Sequence, residues 1–160
     1  MKNVQSLVGT AAIIVILSVA VEARQQKGQP TTAQSTTVEY SSAANPSART
    51  LSEFVRVGNI LYLSGKLGTD STGKLAAGGI AAETKQTLEN IKTVLEKNGS
   101  SMDNVIKCTV MLADIKEWAD MNTVYVTFFK KERLPARSAL GVSGLVQNAR
   151  VEIECMATTK

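Results

Sequence analysis

Apolar positions fall into three regimes along the chain. Leu7 to Val21 form an uncharged, largely apolar run behind Lys2. From about Gln25 to Ala48 ("QQKGQPTTAQSTTVEYSSAANPSA") they thin out among Thr, Ser and Gln, and from Phe54 onward they return with strand and helix periods. The last regime predicts the fold. "FVRVGNILYLSG" (Phe54–Gly65) reads as two short strands around a tight Gly58-Asn59 turn. A Gly-rich loop, "LGTDSTGKLAAGG", follows. Between Ile80 and Asn98, Leu88, Ile91 and Leu95 share one helical face, and Asn98-Gly99 is a stop signal. "VIKCTVMLAD" (Val105–Asp114) is a strand. Asp114-Ile115-Lys116-Glu117 has capping-box spacing and opens a helix through about Phe129, with Ile115, Met121, Tyr125 and Phe128 as its buried stripe and Trp118 as a further candidate. Two more strands lie near Arg137–Val142 and Arg150–Ala157. The order β-β-α-β-α-β-β predicts an α+β domain with two helices covering one face of a sheet.

The first two regimes set the boundaries. The run from Leu7 to Val21 is short for a membrane span, no second span follows, and Val21-Glu22-Ala23 resembles a small-residue cleavage site. Residues 1–23 are read as a signal peptide, with an uncleaved membrane anchor as the alternative. Residues 24–48 are read as a disordered polar linker, and 49–160 as the folded domain. Localisation is then expected to be periplasmic or secreted.

Composition narrows the chemistry. The chain has 160 residues, 44% hydrophobic, with a net charge of +4, two cysteines and no histidine. Metal catalysis and histidine-based triads lose support, and neither a metal nor an organic cofactor is expected. Acid–base work falls to carboxylates, Lys, Tyr, Cys or water. The mild basic excess forms no basic-aromatic patch, so a nucleic-acid partner is not expected.

Strand alternation then assigns faces. Val151, Ile153, Cys155 and Ala157 form an apolar row, as do Ile106, Cys108, Val110 and Leu112. Ser138, Leu140 and Val142 are read as the matching row of their strand. Arg137, Glu152 and Glu154 are thereby expected together on the face away from the helices. With Ala139, Met111 and Met156, that face is mixed enough to predict burial against another subunit. Cys108 and Cys155 are read as two buried, small apolar residues, with a disulfide open only if their strands are neighbours.

From Ser52 to Ala157 the chain resembles the Rid (YjgF-like) family of reactive enamine/imine deaminases. The resemblance rests on "SEFVRVGNILYLSG", "ETKQTLENIKTVLEKNG", "DMNTVYVTFF" and, above all, "LPARSALGV" followed by "ARVEIECMA". It implies a chorismate-mutase-like (bacillus-type) fold, and a homotrimer with a central barrel and three clefts between subunits. It implies hydrolysis of 2-imino or enamine acids to 2-keto acids and ammonia. It also implies roles: Arg137 holds the substrate carboxylate, Glu152 stands near the reacting water, Ser64 and Gly65 line the cleft at the hairpin end, and Asn122 lies near the ligand. Three positions depart from the family pattern. Leu51 replaces a pocket tyrosine, Lys66 a glutamine and Ala139 a frequent cysteine.

The residues themselves admit these roles and plainer ones. Arg137 presents a planar fork suited to a carboxylate, or pairs structurally with Glu152 or Glu154. Glu152 is suited to orient or deprotonate water in a dry cleft, or is a paired strand glutamate. Glu154 is read as structural. Asn122 bonds ligand or loop, or is a polar helix position. Ser64 has no base beside it and is not read as a nucleophile, and Lys66 is surface or a second cation at the cleft. The alternative function is a non-catalytic trimeric binder of small carboxylates. Ribonuclease activity, reported for some relatives, finds no support in the patterning.

Overall fold

The computed structural model describes residues 36–41 and 50–159. The expected signal segment and most of the expected linker lie outside the described residues. The polar stretch nevertheless contributes a strand, β1 (Val38–Tyr40), paired antiparallel to β2 (Phe54–Val57). The fold therefore begins well before residue 49. Arg56 pins β1 by pairing with Glu39 at 3.2 Å and by donating to the Asn98 carbonyl at 3.1 Å.

β2 turns through Gly58-Asn59 into β3 (Ile60–Leu63), with Val57 opposite Ile60. Gly58, at φ 59°, supplies the left-handed residue that this two-residue turn demands. A short β4 (Lys66–Leu67) continues the same direction along β7 (Val151–Thr158). Helix α1 (Gly79–Lys97), strand β5 (Val105–Leu112), helix α2 (Trp118–Tyr125, flanked by one-turn 3₁₀ segments) and strand β6 (Ala136–Gly141) complete the chain. The sheet order is β1-β2-β3-β7-β5-β6. Among the described strands only β5 and β6 run parallel, as the helical crossover through α2 requires. The α+β class and the two helices agree with the sequence reading. β1 and β4 are additions to it.

The core lies between the sheet and the helices. Leu88, Ile91 and Leu95 of α1 and Met121 of α2 are fully buried against Val110, Leu112, Val151 and Ile153. Ile106 does not join them. A bulge between Val105 and Lys107 turns Val105 inward and leaves Ile106 exposed, so the alternation counted through that point fails. Ile115 and Trp118, expected in the buried stripe of the second helix, are 49% and 40% exposed. Cys108 and Cys155, directly opposed on β5 and β7 with Cα atoms 4.2 Å apart, form a disulfide rather than two separate thiols. That spacing is the close approach of a non-hydrogen-bonded antiparallel pair.

The entry to β7 is tied from two sides. The buried Glu83 of α1 accepts from the Arg150 backbone N–H at 2.8 Å, and the Arg150 guanidinium pairs with Glu117 ahead of α2. Both ties hold the backbone two residues before Glu152.

Candidate active site

The candidate residues form two clusters on opposite faces of the sheet. The first is built on β6 and α2. Arg137 is in register with Cys108 and Ala139 with Val110, so both project with the core row toward α2. Arg137 Nη1 donates to Asn122 Oδ1 at 2.8 Å. Its guanidinium carbon lies 4.5 Å from the ring centre of Tyr125 and 5.5 Å from that of Trp118. Trp118, Asn122 and Tyr125 stand at i, i+4 and i+7 of one helix and so present one face to the arginine.

This overturns the expected grouping of Arg137 with Glu152 and Glu154 on the open face. Leu140, taken for core, is 42% exposed, and the small, half-buried Ala139 packs against the core instead. The physical reason is that β6 is the sheet edge. There the helix layer supplies an aromatic wall and an amide rather than a closed apolar core, and a guanidinium is held by cation–π contact and one hydrogen bond. Tyr125 is 2% exposed, and its hydroxyl has no hydrogen-bond partner among the described residues. Burial pushes its pKa up to about 12, against the opposing pull of the Arg137 charge. The ring therefore faces the cation as a neutral phenol.

The second cluster is built on β7 and the β3–β4 junction. Tyr62 is opposite Met156 and Lys66 opposite Ile153. Four steps on one strand thus match three on β7, and the extra residue is a bulge at Ser64-Gly65. The Glu152 carboxylate fills the space over Gly65. A Cβ there would lie 2.0 Å from Glu152 Oε1. Ser64 is fully engaged, its N–H donating to the Glu53 carbonyl at 3.1 Å and its hydroxyl to the Ser52 carbonyl at 2.6 Å. That fits positioning and leaves no nucleophile.

Lys66 is neither free surface nor an unpaired cation. It pairs with Glu53 at 2.7 Å, on the wall of an open cavity of ≈ 690 Å³ that Gly65 also lines. Leu51, 62% exposed, is next in sequence to the Ser52 that holds Ser64. Glu154 is exposed on the open face, opposite Thr109.

The clusters cannot meet on one small molecule within a protomer. Arg137 is level with Cys108 and so with Cys155, two strands away, and Glu152 lies three residues further along β7 on the other face. Standard strand spacing and rise put their Cα atoms roughly 14 Å apart with the sheet between their side chains. The structure brings Arg137 together with Asn122, and Glu152 together with Gly65, with Ser64 adjoining Gly65 in sequence. It does not bring these pairs together. The two aromatic partners of Arg137 were missed as such, although their i, i+4, i+7 spacing with Asn122 is visible in "WADMNTVY". No group of three or more potential metal-binding side chains occurs among the described residues.

Known proteins are similar to this chain in sequence and in fold. The rat 2-iminobutanoate/2-iminopropanoate deaminase is 43% identical over 107 residues, covering 66% of this chain and 77% of that protein. Its human counterpart is 42% identical over the same length. Among solved structures, yeast Mmf1 superposes with a TM-score of 0.70 at 34% identity, covering 78% of this chain and all of that one. RidA from an Antarctic Psychrobacter gives 0.65 at 37% identity, covering 74% and 93%. The family profile described as "Endoribonuclease L-PSP" matches residues 41–159, and the chain belongs to that family, the YjgF/Rid family.

Proposed function

We propose that this protein is a homotrimeric hydrolase that converts 2-imino or enamine acids to 2-keto acids and ammonia in clefts between subunits. The observation that carries the reading is the separation of two complementary half-sites, a fixed guanidinium and a carboxylate poised over a bulge, on opposite faces of one sheet. Each needs the other, and a neighbouring copy is the economical source. The relatives named as imine deaminases support the chemistry. A barrel of three sheets joined through their open faces, in the chorismate-mutase-like manner, would bring Glu152 of one subunit to the Arg137 edge of the next.

In that cleft Arg137 grips the substrate carboxylate through the donors left free by Asn122, which fixes the adjacent imine carbon. Water bound to Glu152 attacks that carbon of the protonated imine as its proton passes to the carboxylate. The C=N π electrons settle on nitrogen and give a carbinolamine. Glu152 returns the proton to nitrogen; the C–N bond then breaks and ammonia leaves as the hydroxyl gives its proton back to Glu152, which passes it to solvent, and its oxygen becomes the keto oxygen. The residues in hand are sufficient for these steps. A non-catalytic carboxylate binder would use Arg137 but gives Glu152 and its bulge nothing to do. Strand sequestration in a disulfide also fits an oxidising compartment. We therefore place the mature protein outside the cytosol, with an N-terminus near Arg24 readable by mass spectrometry.

Complementation tests the core of the reading. Arg137→Ala and Glu152→Gln chains should each be inactive in ammonia release from imines generated in situ by an amino-acid oxidase. Unfolded together and refolded, they form mixed trimers in which about a quarter of clefts draw both intact residues from different chains. Recovery of about a quarter of wild-type activity, with a trimer mass by light scattering, is the expected result. A monomer, or no recovery from mixed trimers, overturns the inter-subunit site.

A further inference from the structure

The strand that carries Glu152 begins irregularly. Counted from the non-hydrogen-bonded pair Cys108–Cys155, Ala113 and Arg150 fall on a hydrogen-bonded pair of the β5–β7 ladder, which would exchange two backbone bonds. One is made, from the Ala113 N–H to the Arg150 carbonyl at 3.0 Å. The other is diverted. The Arg150 N–H donates to Glu83 Oε2 of α1 at 2.8 Å. The chain reaches this point through a strained turn, since Gln147 and Asn148 both take left-handed backbone, at φ 59° and 57°. Such a turn is a poor guide for a strand, and the helix supplies the fixed point.

Glu83 is a costly residue to place there. It is 6% exposed, and no Lys or Arg among the described residues pairs with it. Arg150, whose backbone it holds, sends its guanidinium to Glu117. Burying a carboxylate on so few partners lowers stability. Its backbone is held in turn. The Thr87 hydroxyl donates to the Glu83 carbonyl at 2.8 Å, and a Cβ on Gly68, just beyond β4, would lie 2.4 Å from that same oxygen.

We infer that Glu83 is a positioning residue for Glu152: by taking the Arg150 N–H, its carboxylate sets how β7 enters the sheet and so where the Glu152 carboxylate stands over Gly65. This rests on the proposed role of Glu152 in the reaction. What is required of Glu83 is an acceptor oxygen at that point, rather than charge or bulk.

Three variants separate these. Glu83→Gln keeps an acceptor and loses the charge, Glu83→Met keeps the bulk and loses the acceptor, and Glu83→Ala loses both. Glu83→Gln should stay within a few-fold of wild type in turnover of alanine-derived imine. Glu83→Met and Glu83→Ala should lose about ten- to a hundredfold in kcat, the effect of misplacing a reacting group by about an ångström. KM should change by less than about threefold, because Arg137 and its clamp stand on β6 and α2. Thermal melts show which variants are folded at the assay temperature. A fall in Tm with kcat per folded site unchanged, or failure of both Glu83→Met and Glu83→Ala to fold, makes Glu83 a structural residue and overturns the inference. A loss in Glu83→Gln equal to that in Glu83→Met overturns it as well. If wild type turns over no imine, the deaminase reading falls while hydrogen exchange still judges the strand. Exchange at the Glu152 amide should quicken in Glu83→Met and not in Glu83→Gln. Equal exchange in wild type and both variants would mean that Glu83 does not hold β7.

Discussion

The two half-sites are built by opposite means. Around Arg137 the protein adds side chains: an amide, a phenol ring and an indole from one face of α2 fix a long, flexible cation. Around Glu152 it removes one. The carboxylate occupies the room that Gly65 leaves, on a backbone offset by one residue through the bulge. A cation with five donors needs restraint to present the same edge each time. A carboxylate on a central strand is already restrained by the ladder and needs space. Substitutions at the first half-site should therefore loosen it, and at the second should crowd it.

Crowding gives the largest effect expected of a substitution that leaves Arg137 and Glu152 themselves in place. Gly65→Ala puts a methyl where Glu152 Oε1 now sits, and the far end of a flexible side chain yields before the sheet does. The fold should survive while the carboxylate is displaced by an ångström or more, for a loss of about a hundredfold in kcat/KM. Gly68→Ala is the matched contrast. Its Cβ would lie 2.4 Å from the Glu83 backbone oxygen, which cannot rotate away. That variant should lose about 1–3 kcal/mol of stability in chemical denaturation. Equal effects of the two on activity and on stability would mean that Gly65 serves the fold and not the site.

Loosening ranks next. Arg137→Lys keeps the charge but loses the fork, a contact worth about 1.5–3 kcal/mol, so kcat/KM should fall about ten- to a hundredfold with the oligomeric state unchanged. Arg137→Ala should fall further for carboxylate-bearing imines and change little for an imine without a carboxylate. Proportional losses on both substrates would show that the arginine supports structure rather than recognition.

The contrast also accounts for what the sequence revealed. Helix α1, the hairpin and the β7 row were legible because burial enforces their periods. Leu88, Ile91 and Leu95 are fully buried, as are Val151 and Ile153. The face of Arg137 was not legible. Its strand is an edge, where Leu140 can be exposed and Ala139 covered, so polarity no longer tells inside from outside. Ile106 misled for a different reason, since a bulge shifts parity without leaving a mark in composition. Glu152 and Gly65 were singled out only by resemblance to the family motif. That glycine's purpose is a close approach, visible only once the register places a carboxylate over it. The aromatic clamp lay in plain view at helical spacing, but its residues read as core until the cation was placed beside them.

Tyr125 gives the smallest effect and the finest test of the clamp. Tyr125→Phe keeps a ring 4.5 Å from the guanidinium carbon and removes a buried hydroxyl that lacks a partner among the described residues. Activity should stay within a few-fold of wild type, and stability near neutral pH should be equal or higher by up to about 1 kcal/mol. Alkaline stability then separates the two proteins. Burial raises the folded-state pKa from 10.0 to about 12. The folded state therefore holds its proton more tightly than the unfolded chain does. That advantage is complete below pH 10 and is lost as the pH rises through 10 toward 12. Wild type should lose stability relative to Tyr125→Phe across that window, measured as the difference between their denaturation curves. Parallel curves would mean that the phenol reaches solvent, and that the ring beneath Arg137 is a looser floor than the structure shows. Tyr125→Leu completes the series. If a ring is what holds the cation, Leu should raise KM for carboxylate-bearing substrates where Phe does not.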